Sequence, residues 1–145
     1  MAMRISKVDV WAGEVEDQPG GLAAKLGPLT KAGANLEFVI ARRSDEHPGA
    51  TLVFLAPLKG AKQTRAAADL GFAKASSLWS LRLECPDKAG LGAKIAGAMG
   101  NALINMRGLS AASVNKKCVV YFSFDNEADA KRAVPVLKKV LSAKK

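Results

Sequence analysis

The chain has 145 residues, of which 49% are hydrophobic, so it has enough material for one ordinary domain or two very small ones. No apolar run approaches the roughly 20 residues of a membrane-spanning helix, and the first ten residues lack the apolar region of a signal peptide. Two cysteines outside any CxxC motif and a single histidine leave almost no residues for zinc binding or for Cys–His or Ser–His catalysis. We therefore expect a cytoplasmic protein with no metal, no cofactor and no membrane contact.

The formal net charge is +9, and its distribution along the chain is uneven. Residues 1–75 contain ten Lys and Arg against eight Asp and Glu, whereas residues 76–145 contain twelve against five. Many of the second group lie near the end of the chain, where lysines oppose the negative end of a helix dipole. We interpret this excess as a solvated helix face rather than a polyanion-binding patch.

The predicted elements of the first half begin with one strand at residues 7–15, which ends at a turn with the sequence DQPGG. A helix over residues 22–32 follows, with Gly33 in the C-terminal capping position. The remaining elements are two strands, a helix and a short last strand at residues 35–43, 49–57, 62–71 and 72–76. The strand at 49–57 is apolar throughout, which predicts burial on both faces and sheet pairing with the other repeat or a second subunit.

The second half repeats the first at a constant offset of 70 residues. Asp17 aligns with Asp87, Gly20 with Gly90, and other polar, glycine and apolar positions recur in step. The corresponding strand, helix, strand, strand and helix lie at residues 77–85, 91–102, 104–113, 116–124 and 127–141. The chain is therefore a tandem repeat of one unit, and the second copy lacks a last strand of its own.

The D-x-P-G-x-L turn, the apolar helix and the G-x-N exit into a strand resemble the ACT domain. The matching residues are Asp17, Pro19, Gly20, Leu22, Gly33 and Asn35 in the first repeat and Asp87, Gly90 and Asn105 in the second. In the second repeat Ala89, Gly92 and Leu103 replace the proline, the leucine and the glycine. The resemblance implies an α+β fold of two tandem ferredoxin-like βαββαβ modules, at residues 1–76 and 77–145, with antiparallel sheets and helices on one face.

ACT modules bind amino acids and related small molecules to regulate enzymes or transcription factors, so the resemblance implies a non-catalytic sensor or regulatory protein. The turn has chemistry that fits this role, because free backbone N–H groups at a helix start attract a carboxylate and glycines allow its close approach. Asp17 would accept an α-ammonium group, and we expect Asn35 near the same edge. The candidate ligand-binding residues are Asp17, Gln18, Pro19, Gly20, Gly21, Leu22 and Asn35, with Asp87, Lys88, Gly90, Leu91 and Asn105 in the second repeat. The alternative is purely structural: Asp17 caps the helix and the glycines form the turn.

RNA binding and catalysis are the two alternatives to ligand binding. RNA-recognition domains share the βαββαβ order, but strand alternation places Trp79, Phe122 and Phe124 on the core side and only Tyr121 outside, which disfavours RNA binding. Catalysis is disfavoured because Glu14, Glu16 and Asp17 are acids without a legible partner, and no nucleophile–base pair or phosphate loop is visible.

The repeat also predicts sheet topology and assembly. In each module we expect the strand order 4-1-3-2, which places Cys85 beside Cys118 on the helix-covered face as buried thiols rather than a disulfide. The two-sided apolar strand and the missing last strand predict pairing of sheets, so we expect a homodimer.

Overall fold

The computed structural model describes residues 3–75 and 79–142. These residues form two compact units, one of residues 9–75 and the other of residues 3–8 together with residues 79–142. We call them the first module and the second module, because they contain the first and second sequence repeats. No helix in the described ranges is long and apolar enough to cross a membrane.

The first strand of the chain, β1 (Arg4–Val8), belongs to the sheet of the second module, although it precedes the first module in the sequence. The first module then contains four strands and two helices. These elements are β2 (Trp11–Glu16), α1 (Gly21–Lys31), β3 (Phe38–Arg43), β4 (Ala50–Ala56), α2 (Gly60–Asp69) and β5 (Ala73–Lys74).

The first module has an antiparallel sheet in the order β3-β4-β2-β5, which confirms the predicted order 4-1-3-2. Alternate residues of β2 and β4 point to one face and form the core with the two helices, as a half-buried sheet requires. The buried core residues are Val15, Leu29, Val53, Leu55, Ala67 and Phe72. On the opposite face of β4, Leu52 and Phe54 are half-buried.

The second module contains β6 (Trp79–Pro86), α3 (Leu91–Asn101), β7 (Met106–Val114), β8 (Lys117–Phe124) and α4 (Glu127–Ser142). Its antiparallel sheet has the order β1-β6-β8-β7, so β1 occupies the place of the fourth strand. Cys85 lies directly opposite Cys118 in the register of β6 and β8, and both are buried free thiols, as predicted. The two sheets with their helices confirm the tandem ferredoxin-like architecture.

The segment from Lys7 to Val15, predicted as one strand, is divided between two strands in different sheets. Met3 and Ile5 pack against the core of the second module, whereas Val15 packs in the core of the first. Between the two strands, the exposed carboxylate of Asp9 lies 3.2 Å from Lys74 Nζ. The module boundary accordingly differs from the sequence expectation, which assigned residues 1–8 to the first domain and left the second without a last strand.

The aromatic residues of β6 and β8 lie largely as their alternation predicts. Phe122 and Phe124 are fully buried, with ring centroids 6.1 Å apart. Trp79 lies opposite Phe124 and therefore on the core side, as predicted, but it is 40% exposed at the strand start. Tyr121 is on the other face, yet it is buried, with the Arg82 guanidinium 5.9 Å from its ring centroid.

Candidate functional site

The DQPGG segment forms a tight turn between β2 and α1. The N–H of Gly21 donates to the carbonyl oxygen of Gln18 at 3.0 Å, and Gly20 has φ 84° and ψ −8°. These angles, with Pro19 before Gly20, are those of a type II turn, whose third residue is normally glycine. Gly21 has a separate requirement, because an added Cβ would overlap the carbonyl oxygen of Glu16. The turn therefore needs both glycines, each for its own reason.

The turn presents unpaired main-chain donors at the start of α1. The N–H of Gly21 is bonded to Gln18 and that of Ala24 to the Gly20 carbonyl, whereas in the described chain the N–H groups of Leu22 and Ala23 have no acceptor. The first turn of α1 contains no acidic residue. The positive end of the helix dipole and these free donors together favour an anion at this position.

A surface cavity of about 510 Å³ lies beside this turn. Its walls come from the end of β2, the turn, the first part of α1 and the start of β4. The lining residues are Glu14, Val15, Glu16, Gln18, Pro19, Gly20, Gly21, Ala24, Lys25, Gly49 and Ala50. Of the predicted turn residues, Gln18, Pro19, Gly20 and Gly21 line the cavity, whereas Asp17 and Leu22 do not. The contributions of Glu14, Lys25 and Gly49 were not predicted, although the predicted order of strands places the start of β4 beside the end of β2.

Asp17 adjoins the turn but already has a cationic partner. Its Oδ2 lies 2.7 Å from Nε of Arg43, and its main-chain N–H donates to the Gly49 carbonyl at 2.9 Å. In β2, Glu14 Oε2 lies 3.0 Å from Nδ1 of His47, which is in the loop between β3 and β4. The Asp17 carboxylate therefore joins the end of β3 to the turn, and a ligand ammonium group would have to share it with Arg43.

Asn35 lies at the opposite end of the first module from the turn, contrary to the sequence expectation. In the sheet register Glu16 is opposite Ala50, whereas Phe38, which follows Asn35, is opposite Ala56 at the other end of β4. The 11 residues of α1 also separate the two helix ends by about 16 Å, at about 1.5 Å per residue. Asn105 likewise lies far from Asp87, because it precedes Met106, which is opposite Phe124, whereas Pro86 is opposite Lys117 at the other end of β8.

The second module repeats the turn without the proline. The N–H of Leu91 donates to the carbonyl oxygen of Lys88 at 3.2 Å, Gly90 has φ 82°, and the N–H of Asp87 donates to the Lys116 carbonyl. The adjoining cavity is smaller, about 270 Å³, and more apolar side chains line it. Its lining residues are Asp87, Lys88, Gly90, Leu91, Gly92, Ile95, Leu109, Ala111, Ala112, Ser113, Cys118 and Val120.

Solved structures share this tandem architecture at low sequence identity. The regulatory subunit of aspartate kinase from Thermus thermophilus has a TM-score of 0.69 and 12% identity, with 98% of each chain covered. A structure of aspartokinase α and β subunits has a TM-score of 0.67 and 16% identity over 99% of each chain. A protein from Bacteroides thetaiotaomicron has a TM-score of 0.71 and 17% identity, with 93% of this chain and 89% of that chain covered.

No protein-family model matches the chain, and no curated protein matches its sequence. The likeness to solved structures therefore concerns the fold. The chain has the tandem ACT-domain fold, which confirms the resemblance seen in its turn motifs.

Proposed function

We propose that this protein is a regulatory protein that binds a small molecule, an amino acid, at the turn between β2 and α1. The observation that carries the proposal is the pair of free N–H groups of Leu22 and Ala23 at the start of α1, where the flanking residues Gly21 and Ala24 line a cavity of about 510 Å³. The ligand carboxylate accepts hydrogen bonds from these groups, and its ammonium group faces the carboxylates of Glu14 and Glu16. Support comes from structural neighbours that are regulatory subunits of aspartate kinase.

In this proposal the second cavity is the weaker site. It retains the glycine-dependent turn and Asp87, but it is about half as large and Cys118 and Val120 form part of its wall. Two charged side chains line it rather than three, which favours a ligand with less charge on its side chain. We place no catalytic step in either cavity, and the protein acts in the cytoplasm on a separate enzyme or transcription factor.

The proposed assembly is a homodimer formed through β7, the edge strand of the second module. Arg107 is the one charged residue among the nine of β7, while Leu109 and Val114 are exposed. A long edge strand with little charge favours pairing with another strand. Ala111→Pro removes an outward N–H of this edge, so sedimentation should change from dimer to monomer, and an unchanged dimer would argue against pairing through β7.

A thermal-shift screen of the twenty amino acids tests the ligand proposal. A ligand that binds only the folded state adds RT ln(1 + [L]/Kd) to the free energy of unfolding and so raises the melting temperature. We expect one or a few amino acids to raise the melting temperature at millimolar concentration. The absence of any shift with all twenty would contradict an amino-acid ligand.

A further inference from the structure

The two modules differ in how the outer edge of their first strand is covered. In the second module β1 pairs along β6 from Ser80 to Glu84, with Arg4 opposite Glu84. In the first module β5 pairs with β2 only at Trp11 and Ala12. Within the described chain, the outer edge of residues 13–16 therefore has no strand partner.

The main-chain groups on this uncovered edge can be identified from the register. The N–H of Asp17 donates to the Gly49 carbonyl on one side of β2, and the N–H of Ala75 donates to the Val10 carbonyl on the other. Because such bonds alternate along an antiparallel strand, the N–H and C=O groups of Glu14 and Glu16 point away from β4. The Glu16 carbonyl accepts from the Gln18 N–H. The N–H and C=O of Glu14 and the N–H of Glu16 therefore have no hydrogen-bond partner within the described chain.

In the second module, the sheet edge is blocked at both positions equivalent to Glu14 and Glu16, which lie 70 residues further along. Glu84, equivalent to Glu14, lies opposite Arg4 of β1 in the strand register, and its carboxylate is bonded to Arg82 and Lys117. Pro86, equivalent to Glu16, has no N–H to donate, and proline is a common way to block a sheet edge. The open edge is therefore specific to the first module.

Helix α1 turns this edge into a groove. Glu14 and Glu16 line one side of the 510 Å³ cavity, and Ala24 and Lys25 line the other. The Nζ of Lys25 donates to the carbonyl oxygen of Leu70 at 2.7 Å, which fastens α1 to the end of α2. The wall opposite the strand edge is thus held in place.

We propose that this groove binds an extended segment of a partner protein, which adds to β2 as an antiparallel strand with a basic residue opposite Glu14. The second module supplies the pattern, because the strand that covers its equivalent edge places Arg4 opposite Glu84. Glu16 is exposed, and Glu14 is about half exposed with its Oε2 3.0 Å from His47 Nδ1, so a basic segment would meet Glu16 directly and share Glu14 with His47. Main-chain hydrogen bonds give such strand addition its affinity, and side chains give it specificity.

A peptide with the sequence of residues 3–8, MRISKV, acetylated and amidated at its ends, is the probe. Added to the full chain, it should shift the NMR amide signals of Glu14 and Glu16 and slow their hydrogen exchange. Glu14→Gln should weaken binding about threefold, the effect of one cross-strand charge pair. The matched variant Glu84→Gln should leave the affinity unchanged. The peptide would occupy the same cavity as the proposed amino acid. Because this test uses no small ligand, its failure can be told apart from failure of the amino-acid proposal.

A second peptide, methylated on the arginine main-chain nitrogen, separates strand addition from simple charge attraction. It has the same charge but cannot donate to the Glu14 carbonyl, so its binding should fall at least tenfold. Equal binding of the two peptides would overturn strand addition. Loss of binding in Glu84→Gln but not in Glu14→Gln would assign the peptide to the second module, and self-association through Glu14 without peptide would make a second copy the occupant. Either outcome overturns the proposal.

Discussion

Gly33 and Leu103 occupy equivalent positions at the ends of α1 and α3, and both have a left-handed backbone, with φ 93° and 58°. In each case the next residue donates its N–H to a carbonyl five residues earlier, Ala34 to Leu29 and Ile104 to Met99. This is the Schellman arrangement, in which glycine is the usual residue. Leucine at this position adopts a backbone conformation that is unfavourable for a residue with a Cβ.

Replacing Leu103 with glycine should therefore stabilise the protein. The side chain of Leu103 is 87% exposed, so its removal costs little packing. Relief of the left-handed strain, less the entropy cost of glycine, predicts a gain of about 1 kcal/mol in the free energy of unfolding. Urea denaturation measures this gain, and Gly33→Leu is the matched change in the opposite direction. Lower stability of Leu103→Gly would contradict the assignment of strain.

Gly21 should not tolerate even alanine. Its added Cβ would overlap the Glu16 carbonyl oxygen, so the turn or the start of α1 has to move. We expect Gly21→Ala to reduce the free energy of unfolding by more than about 2 kcal/mol. Gly97, in the middle of α3, has open space around it, and Gly97→Ala should stabilise the protein by about 1 kcal/mol. Thermal melts that rank the two variants in the opposite order would refute this account of the turn.

The Glu84 carboxylate should contribute a pH-dependent part of the stability. Hydrogen bonds from Lys117 and Arg82, at 3.2 Å each, lower the pKa of Glu84 below its ordinary value of 4.5. Since the folded-state pKa is lower, this stability is present above about pH 4.5 and is lost as the pH falls through the folded-state pKa. The stability difference between the protein and Glu84→Gln, measured by urea denaturation, should therefore shrink in acid. A difference that does not change with pH would contradict this.

The thiol of Cys85 should react slowly in the folded protein. Burial raises its pKa above 9.0, and the neighbouring Cys118 and Asp87 raise it further, so little of the reactive thiolate forms. With iodoacetamide at pH 8, mass spectrometry should find Cys85 unmodified in the folded chain and modified in urea. Modification of the folded chain at the rate of a free thiol would show that the site opens to solvent.

The repeat made much of this fold predictable. A constant offset of 70 residues identified two copies of one unit. The split βαβ arrangement with right-handed crossovers then predicted the strand order and the position of Cys85 beside Cys118. The assignment of β1 was not accessible in the same way, because hydrophobic alternation shows that a segment is a strand but not which sheet it joins. The one available signal was indirect: the second copy lacked a last strand, and Met3 and Ile5 alternate with polar residues before the first module.

The candidate site was predicted in part for similar reasons. The turn residues came from local motifs, whose glycine requirements are properties of the backbone. Asn35 was misplaced because its position depends on the length of α1 and the register of β3 against β4, which the motif does not contain. The Arg43 partner of Asp17 was missed because their contact joins two segments 26 residues apart.

Calorimetry on Ala24→Glu tests the central claim most directly. Ala24 lines the first cavity near the start of α1, where an added carboxylate is compatible with the helix dipole but repels a bound carboxylate. The variant Ala24→Gln has nearly the same size without the charge and is the matched control. With the amino acid that raises the melting temperature most, we expect affinity to fall at least about tenfold, or 1.4 kcal/mol, in Ala24→Glu and to change little in Ala24→Gln. Undiminished affinity in a folded Ala24→Glu protein would contradict a ligand site at this turn.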